Sequence, residues 1–370
     1  MGHKEVASLA ALGSLSVTAV AYYLASRPKG TLPDKTTIRK LVVAQPDADL
    51  DKVKMVVEES SMPKIDYGEV LVKMEAVPVN PSDYNEWRLK RGGVCHEGCG
   101  VVVASGGGFL ANRLVGRRVG VMLTRSGTAA EYLCCDASKD VFTLPVSDNV
   151  ALADCASWFI NPFTALSILD TAKTKHQANV LIQTAASSQL GQMLIKLAPS
   201  QGMTLVNVVR KKEHWSMLKS MGATHVICTA DEDWMSQLKT LVKTLDIKVA
   251  FDAVAGDMTG SLMTCLPSRS VVYVYGVLSG IPVGKVEPID LIYRRKQVAG
   301  FHVAKDWLSV GGQVAMLSRV KAGIQLVGSG LSPGGWATSQ FTDCNMDSMH
   351  ETFCDLTKSG FTGKKLRIIF

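Results

Sequence analysis

The sequence predicts an α/β protein in which a β-barrel unit and a parallel-sheet unit share one chain, and three observations carry that expectation. Short β-rich runs broken by Gly, Pro and Asp fill residues 69–144, whereas strands and helices alternate from 151 to about 275. The strand VLIQ (180–183) lacks in/out alternation, as expected of a strand covered on both faces. The chain has 370 residues, 47% apolar and 20% charged, which is long for one core and excludes disorder, collagen-like repeats and coiled coil.

In order along the chain, 69–79 (EVLVKMEAVPV), 100–104, 115–123, 129–135 and 141–144 read as strands of a compact antiparallel barrel. A helix near 151–171 follows, then strand 179–183, a helix to about 200, strand 204–209 and helix 213–221. Strand 225–229, helix 231–245, strand 247–253, helix 257–265 and strand 270–275 continue the alternation. Such alternation means parallel strands joined by crossover helices. After Gly300 the pattern turns irregular, and KKLRIIF (364–370) reads as a strand returning to the first unit.

At the amino terminus, VASLAALGSLSVTAVAYYLA (6–25) carries no charge, and twenty residues at about 1.5 Å each span about 30 Å, the thickness of a bilayer core. Tyr22 and Tyr23 suit an interfacial belt, and Arg27 and Lys29 follow at once. The expectation is a single-pass transmembrane helix, with a cleaved targeting signal or a buried helix as alternatives. A secretory signal usually has a shorter apolar run, and a mitochondrial presequence is Arg-rich, whereas Lys4 is the only Lys or Arg before Arg27. The net charge of +7 is scattered, without the dense basic runs of a nucleic-acid binder, so no nucleic-acid partner is expected. Nine cysteines without a CxxC pair indicate a reducing compartment.

The first strand-to-helix turn of the alternating region reads QTAASSQLG, with Ala186, Ser188 and Gly191 at the spacing of a G-x-G-x-x-G fingerprint. Small residues can still admit a pyrophosphate, and the helix beginning near Ser188 offers its free N–H groups; an ordinary βα turn is the alternative. The next strand, TLVNVV, ends in Arg210, Lys211 and Lys212, where a ribose-binding acid would stand for NADH. Three cations there suit a 2′-phosphate, hence NADPH, against the alternative of a solvated basic helix start.

With these residues the sequence resembles the zinc-free branch of the medium-chain dehydrogenase/reductase superfamily, most closely mitochondrial 2-enoyl thioester (enoyl-CoA) reductase and quinone-oxidoreductase-like members. The carriers are VNPSD (79–83), HEGCGVV (96–102), INPFTAL (160–166), QTAASSQLGQ (183–192), NVVR (207–210), VYGVLSG (274–280) and GFH (300–302), in the family's order. The resemblance implies a Rossmann domain inserted in a GroES-like β-barrel domain. The expected divisions are 1–30 for the anchor, 31–160 for the barrel, 161–305 for the Rossmann domain and 306–370 for the return to the barrel. It also implies an edge-to-edge homodimer, with subunits of a membrane complex as the alternative partners of a tethered chain, and a basic chain with this likeness suggests the mitochondrial inner membrane.

Residue by residue, the resemblance places Asn161 near the nicotinamide and Ser187, Ser188, Gln189 and Leu190 at the pyrophosphate. Arg210, Lys211 and Lys212 would hold the 2′-phosphate, and Tyr275, Gly276, Val277 and Leu278 would run along the cofactor. Phe301, His302 and Val303 would line the substrate cleft, and Lys364 would reach back to the cofactor; plain packing is the alternative for the hydrophobic members. The implied reaction is NADPH-dependent reduction of an enoyl thioester, enone or quinone.

Two departures bear on that reaction. No metal is expected, because Asn80-Pro81-Ser82 and Asn161-Pro162 stand where the zinc branch has cysteines, and Cys95, His96 and Cys99 lie too close in sequence for good zinc geometry. The loop YNEWRLKRGGVC (84–95) also lacks the G-x-Y-G tyrosine of enoyl reductases. Tyr84 is the nearby phenol and the candidate catalytic donor, with Ser82 a second hydroxyl. The missing tyrosine, the depleted glycines and the added anchor favour an alternative function, an accessory subunit of a membrane complex that keeps the fold and the nucleotide site without the catalysis, while the intact Asn161 motif and the basic cluster favour the oxidoreductase.

Overall fold

The computed structural model describes residues 27–123, 127–359 and 363–370. The chain opens with strands β1 (Lys29–Gly30), β2 (Thr37–Gln45), β3 (Lys54–Ser61) and β4 (Glu69–Pro78), then helix α1 (Pro81–Trp87), β5 (Gly92–Gly93) and β6 (Glu97–Ser105). Helix α2 (Phe109–Leu114), β7 (Arg118–Met122), β8 (Tyr132–Asp136) and β9 (Val141–Thr143) follow. The alternating region comprises α3 (Ile160–His176), β10 (Val180–Gln183), α4 (Gln189–Leu197), β11 (Thr204–Val209), α5 (Glu213–Ser220), β12 (His225–Cys228), α6 (Trp234–Thr244), β13 (Val249–Asp252), α7 (Asp257–Cys265) and β14 (Val271–Val274). Helix α8 (Pro288–Ile292), β15 (Gln297–Gly300), α9 (Gly312–Gly330), β16 (Phe341–Cys344), α10 (Met349–Ser359) and β17 (Lys365–Ile369) complete the chain.

The barrel is built from both parts of the chain. Its larger sheet runs β16-β17-β4-β6-β7-β9, with β1 on β6 and β8 on β4, and a second sheet runs β3-β2-β5. The return strand β17 lies antiparallel to β4, pairing Arg367 with Pro78 and Ile368 with Val77. The other sheet runs β12-β11-β10-β13-β14-β15, all parallel. Helices α3 and α4 cover one face through Phe163, Leu169 and Leu194, while α6 and α7 cover the other through Leu238 and Leu262. This is a Rossmann sheet with its switch point between β10 and β13.

Two sequence expectations need correction, and one pair of strands was not anticipated. The helix expected over 151–171 is split: a 3-10 turn at Leu152–Cys155 precedes α3, which starts only at Ile160. The reason is that the Glu97 carboxylate takes the backbone N–H groups of Phe159 and Ile160, both at 2.9 Å, and so fixes where the helix begins. The region after Gly300, expected to be irregular, holds α9 and α10; the glycines at 312, 323, 328 and 330 dilute the helical signal of α9. The hairpin β2/β3, paired from Thr37↔Ser61 to Gln45↔Lys54, was not anticipated, because its strands carry many charged residues.

The apolar run at 6–25 lies outside the described residues. Among the described residues no helix is long and apolar enough to cross a membrane.

Candidate cofactor cleft

Because the Rossmann strands are parallel, their carboxyl ends bring the turns after β10, β11, β13 and β14 to one edge of the sheet. After β10 the backbone turns sharply, with Ala185 at φ 49°, a left-handed conformation that ordinarily favours glycine. Ser188 then caps α4, its Oγ accepting from Gly191 N at 3.1 Å. Gly191 is required by packing: a Cβ there would lie 2.4 Å from the Ala186 carbonyl oxygen. The first-turn N–H groups of α4 therefore stand at the strand end, where an anion is favoured. The Gln189 side chain serves another purpose, donating to the Gly363 carbonyl and accepting from Gln340 N at 2.9 Å. It ties the helix start to the carboxy-terminal segment, so only its backbone is left to face a phosphate. Ser187 and Leu190 sit on the same turn, Leu190 largely buried.

Of the three cations after β11, two are already paired. Lys211 Nζ lies 3.2 Å from Glu213 and Lys212 Nζ 2.5 Å from Asp231, which raises the Lys212 pKa. Arg210 is exposed and makes no ion pair among the described residues. It is the cation free to take a phosphate; the two lysine pairs are on the surface and weak enough to exchange.

A node that sequence reasoning missed lies at the end of β13. Asp252, fully buried, accepts from Thr184 Oγ1 at 2.8 Å and Thr259 Oγ1 at 2.7 Å and from Val254 N at 2.9 Å. It fixes the β13 turn to the β10 turn. The only sequence signal is an acid ending a wholly apolar strand. Next to it, Gly276 is dictated by close approach, since a Cβ there would meet the Ala253 carbonyl oxygen at 2.7 Å. Tyr275 has its hydroxyl buried with no hydrogen-bond partner among the described residues, and burial pushes its pKa up. Val277 and Leu278 are exposed on the loop beyond it.

Phe301 belongs to the core: its ring sits 5.2 Å from Phe251 and 5.6 Å from Tyr273, so packing accounts for it. His302 is exposed, its backbone N–H held by Asp306 at 2.7 Å. Val303 begins a π-helical turn, Val303–Leu308, a feature frequent at functional sites.

The barrel side of the cleft holds a buried polar network. Glu97, fully buried, accepts from Phe159 N and Ile160 N, from Asn80 Nδ2 at 3.0 Å and from Ser157 Oγ at 3.4 Å. Lys365 Nζ donates to Asn80 Oδ1 at 2.6 Å and Ser157 Oγ at 2.8 Å. Burial raises the Glu97 pKa and lowers that of Lys365, each opposed by the charge of the other. Lys364 is exposed just before β17, whereas its neighbour Lys365, the first residue of that strand, is buried in this network. Asn161, one residue into α3, is buried and follows directly on Ile160, whose N–H this network holds.

From Asn80 the network continues outward. Asn80 N donates to Asp83 Oδ2 at 2.6 Å, and Asp83 Oδ1 meets His96 Nδ1 at 2.5 Å, with Glu86 3.3 Å from His96 Nε2. Burial alone would lower the His96 pKa, but the Asp83 bond and the two carboxylates outweigh it and raise it. The Tyr84 ring packs 5.5 Å from Phe353 and 6.3 Å from Trp87, and burial raises its phenol to about 12.

This architecture places the chain in a known class. A family model described as "Zinc-binding dehydrogenase" matches residues 190–317, and one described as "Alcohol dehydrogenase GroES-like domain" matches 66–146. The chain belongs to the medium-chain dehydrogenase/reductase superfamily. It is 31% identical over 254 residues to the mitochondrial enoyl-[acyl-carrier-protein] reductase of Xenopus tropicalis, covering 64% of this chain and 69% of the relative. Its likeness to the enzyme of the same name from Dictyostelium discoideum is 27% over 285 residues, covering 73% and 79%. A candidate NADPH:quinone reductase from Mesorhizobium loti superposes with a TM-score of 0.78 at 25% identity, covering 92% of this chain and 100% of that one. A mutant enoyl thioester reductase from Candida tropicalis, at 19% identity and a TM-score of 0.72 over 91% and 100%, shares the fold.

The zinc in the first family description does not fit these residues. Asn80 and Asn161 offer amides in place of the thiolates the resemblance implies for zinc there, and the Lys365 ammonium sits 2.6 Å from the Asn80 side chain, where it would repel a dication. His96 is instead committed to Asp83. A phosphorylated dinucleotide does fit: close-packed glycines at both turns, a helix amino terminus and an uncommitted Arg210 provide its cradle.

Proposed function

We propose that the chain is an NADPH-dependent oxidoreductase that reduces an activated alkene or a quinone. The observation that carries this reading is the end of β11, which presents Arg210, unpaired among the described residues, and two lysines paired at the surface with Glu213 and Asp231, beside the amino terminus of α4. In this reading the first-turn N–H groups of α4 hold the pyrophosphate, and Arg210, with Lys211 and Lys212, holds the 2′-phosphate. Asn161 and the 275–278 loop orient the nicotinamide. Bound there, NADPH supplies a hydride for the β-carbon of an enoyl thioester or enone, or for a quinone.

The protein's own contribution is alignment and polarisation. Tyr84, with a pKa of about 12, holds its proton throughout the physiological range and serves as a donor to a developing enolate. Val303 and His302 stand at the acceptor side. Calorimetry with NADPH and NADH tests the cofactor assignment, and turnover of an enoyl thioester and of a quinone tests the acceptor class.

The mitochondrial relatives support a mitochondrial location, and the uncharged run at 6–25 supports a single-pass tether in the inner membrane. A homodimer through β15 is supported by that strand's position at the sheet edge and by exposed Ile289, Ile292 and Tyr293 beside it. The second reading, an accessory subunit of a membrane complex, is favoured by the aromatic packing of Tyr84, which explains that residue without catalysis.

A further inference from the structure

We propose that the end of the barrel carrying α2 is a membrane-contacting face, seated on the headgroups of a bilayer with Phe109 and Leu110 entering the acyl boundary. This rests on the tether reading and adds which face of the folded body meets the lipid.

Phe109 and Leu110 are 61% and 58% exposed on a short helix, and Tyr67, 63% exposed, lies over the residue that precedes it: a Cβ on Gly108 would be 3.3 Å from the Tyr67 ring. Large apolar and aromatic side chains grouped at one end of a barrel suit an interface with an apolar interior and a wet rim. The Arg113 guanidinium lies 5.4 Å from the Phe109 ring centroid. Lys29, Arg113 and Arg117 enter no ion pair among the described residues, so they are available to anionic headgroups; Asp66 and Glu69 lie toward the Tyr67 side.

The path of the chain chooses this face over others. Arg27 O accepts from Asn112 Nδ2 at 3.0 Å, and Lys29 N donates to Ser105 Oγ at 3.3 Å, so the chain meets the folded body at α2. The uncharged run ends at residue 25, two residues before Arg27. Two residues reach at most about 7 Å, so a span ending there holds α2 at the bilayer surface. Another exposed apolar group, Val310, Val314 and Leu317 by α9, has no such connection.

The test uses the full chain reconstituted in vesicles of phosphatidylcholine with phosphatidylserine. A fluorescent amino acid replaces Phe109, Leu110, Val314 or Lys243, the last on the outer helix α6. Each sample is floated and its quenching by brominated phosphatidylcholine measured. The expected result is flotation of every sample, with several-fold stronger quenching at 109 and 110 than at 314 or 243. Flotation with weak quenching at 109 and 110, or with quenching at 314 in their place, overturns the assigned face while the tether stands. Shielding of the probe at 109 from both brominated lipid and aqueous iodide puts a second copy on the face and overturns it too. Failure to float refutes the tether, and the membrane face with it.

Discussion

Replacing Lys365 by Met removes the cation from the buried network while keeping an unbranched side chain of similar length. Glu97 then remains fully buried with its charge facing no ammonium, although Asn80 Nδ2 and the N–H groups of Phe159 and Ile160 still donate to it. Breaking one partner of a directly bonded buried pair costs about 3–5 kcal/mol; Lys365 reaches Glu97 only through Asn80 and Ser157, and the surviving donors remain, so the cost is at most near the lower end, about 3 kcal/mol. For a body of this size, with an unfolding entropy of about 0.7 kcal/mol/K, that corresponds to a fall in Tm of about 4 °C. Thermal unfolding of the Lys365→Met and Lys364→Met variants reads the difference. Lys364 is exposed, so its substitution should cost no more than about 0.5 kcal/mol. The double variant Lys365→Met/Glu97→Gln should recover at least half the loss, because a neutral amide needs no counter-charge. Equal effects at 364 and 365, or no recovery in the double variant, would refute the coupling of Glu97 and Lys365 through Asn80 and Ser157.

Other expectations follow from the same geometry. Tyr84→Phe keeps the ring packing and should lower turnover of an enoyl thioester by about 10²–10³-fold, with NADPH affinity and quinone turnover nearly unchanged; an unaltered thioester rate would favour the accessory-subunit reading. His96 has a raised pKa in the folded state, so its pairing stabilises fully below about pH 6.5 and is lost as pH rises through the folded value. The Tm gap between the native chain and His96→Gln should therefore be wide at pH 5.5 and narrow at pH 8.5, and a gap independent of pH would contradict the pairing. Tyr275→Phe removes a buried hydroxyl with no partner, so unfolding should show it neutral or stabilised by about 1 kcal/mol; a clear loss would mean the hydroxyl is bonded in solution.

The parallel sheet was legible because its strands and helices differ in period and its glycines mark the turns. The basic end of β11 was legible because charge at a strand end has few structural uses. What escaped the sequence was placement across the chain. Which of two adjacent lysines is buried depends on where β17 docks against β4, nearly three hundred residues earlier. The start of α3 is set by Glu97 on a distant strand, and the Asp252 node joins side chains from three elements. Phe301 matches a cleft motif by sequence, yet its neighbours Phe251 and Tyr273 come from strands brought beside it only by the fold.

The assignment of a phosphorylated nicotinamide cofactor to the β10–β11 edge is tested most directly by calorimetric titration of the full chain with NADPH and NADH, repeated on Arg210→Ala. A charge-assisted bond from an uncommitted guanidinium contributes about 1.5–3 kcal/mol, which is about 10- to 100-fold in affinity. NADPH should therefore bind at least about tenfold more tightly than NADH, and Arg210→Ala should remove most of that preference while leaving NADH affinity unchanged. Equal affinity for the two cofactors in the native chain, or binding of neither, would contradict the assignment.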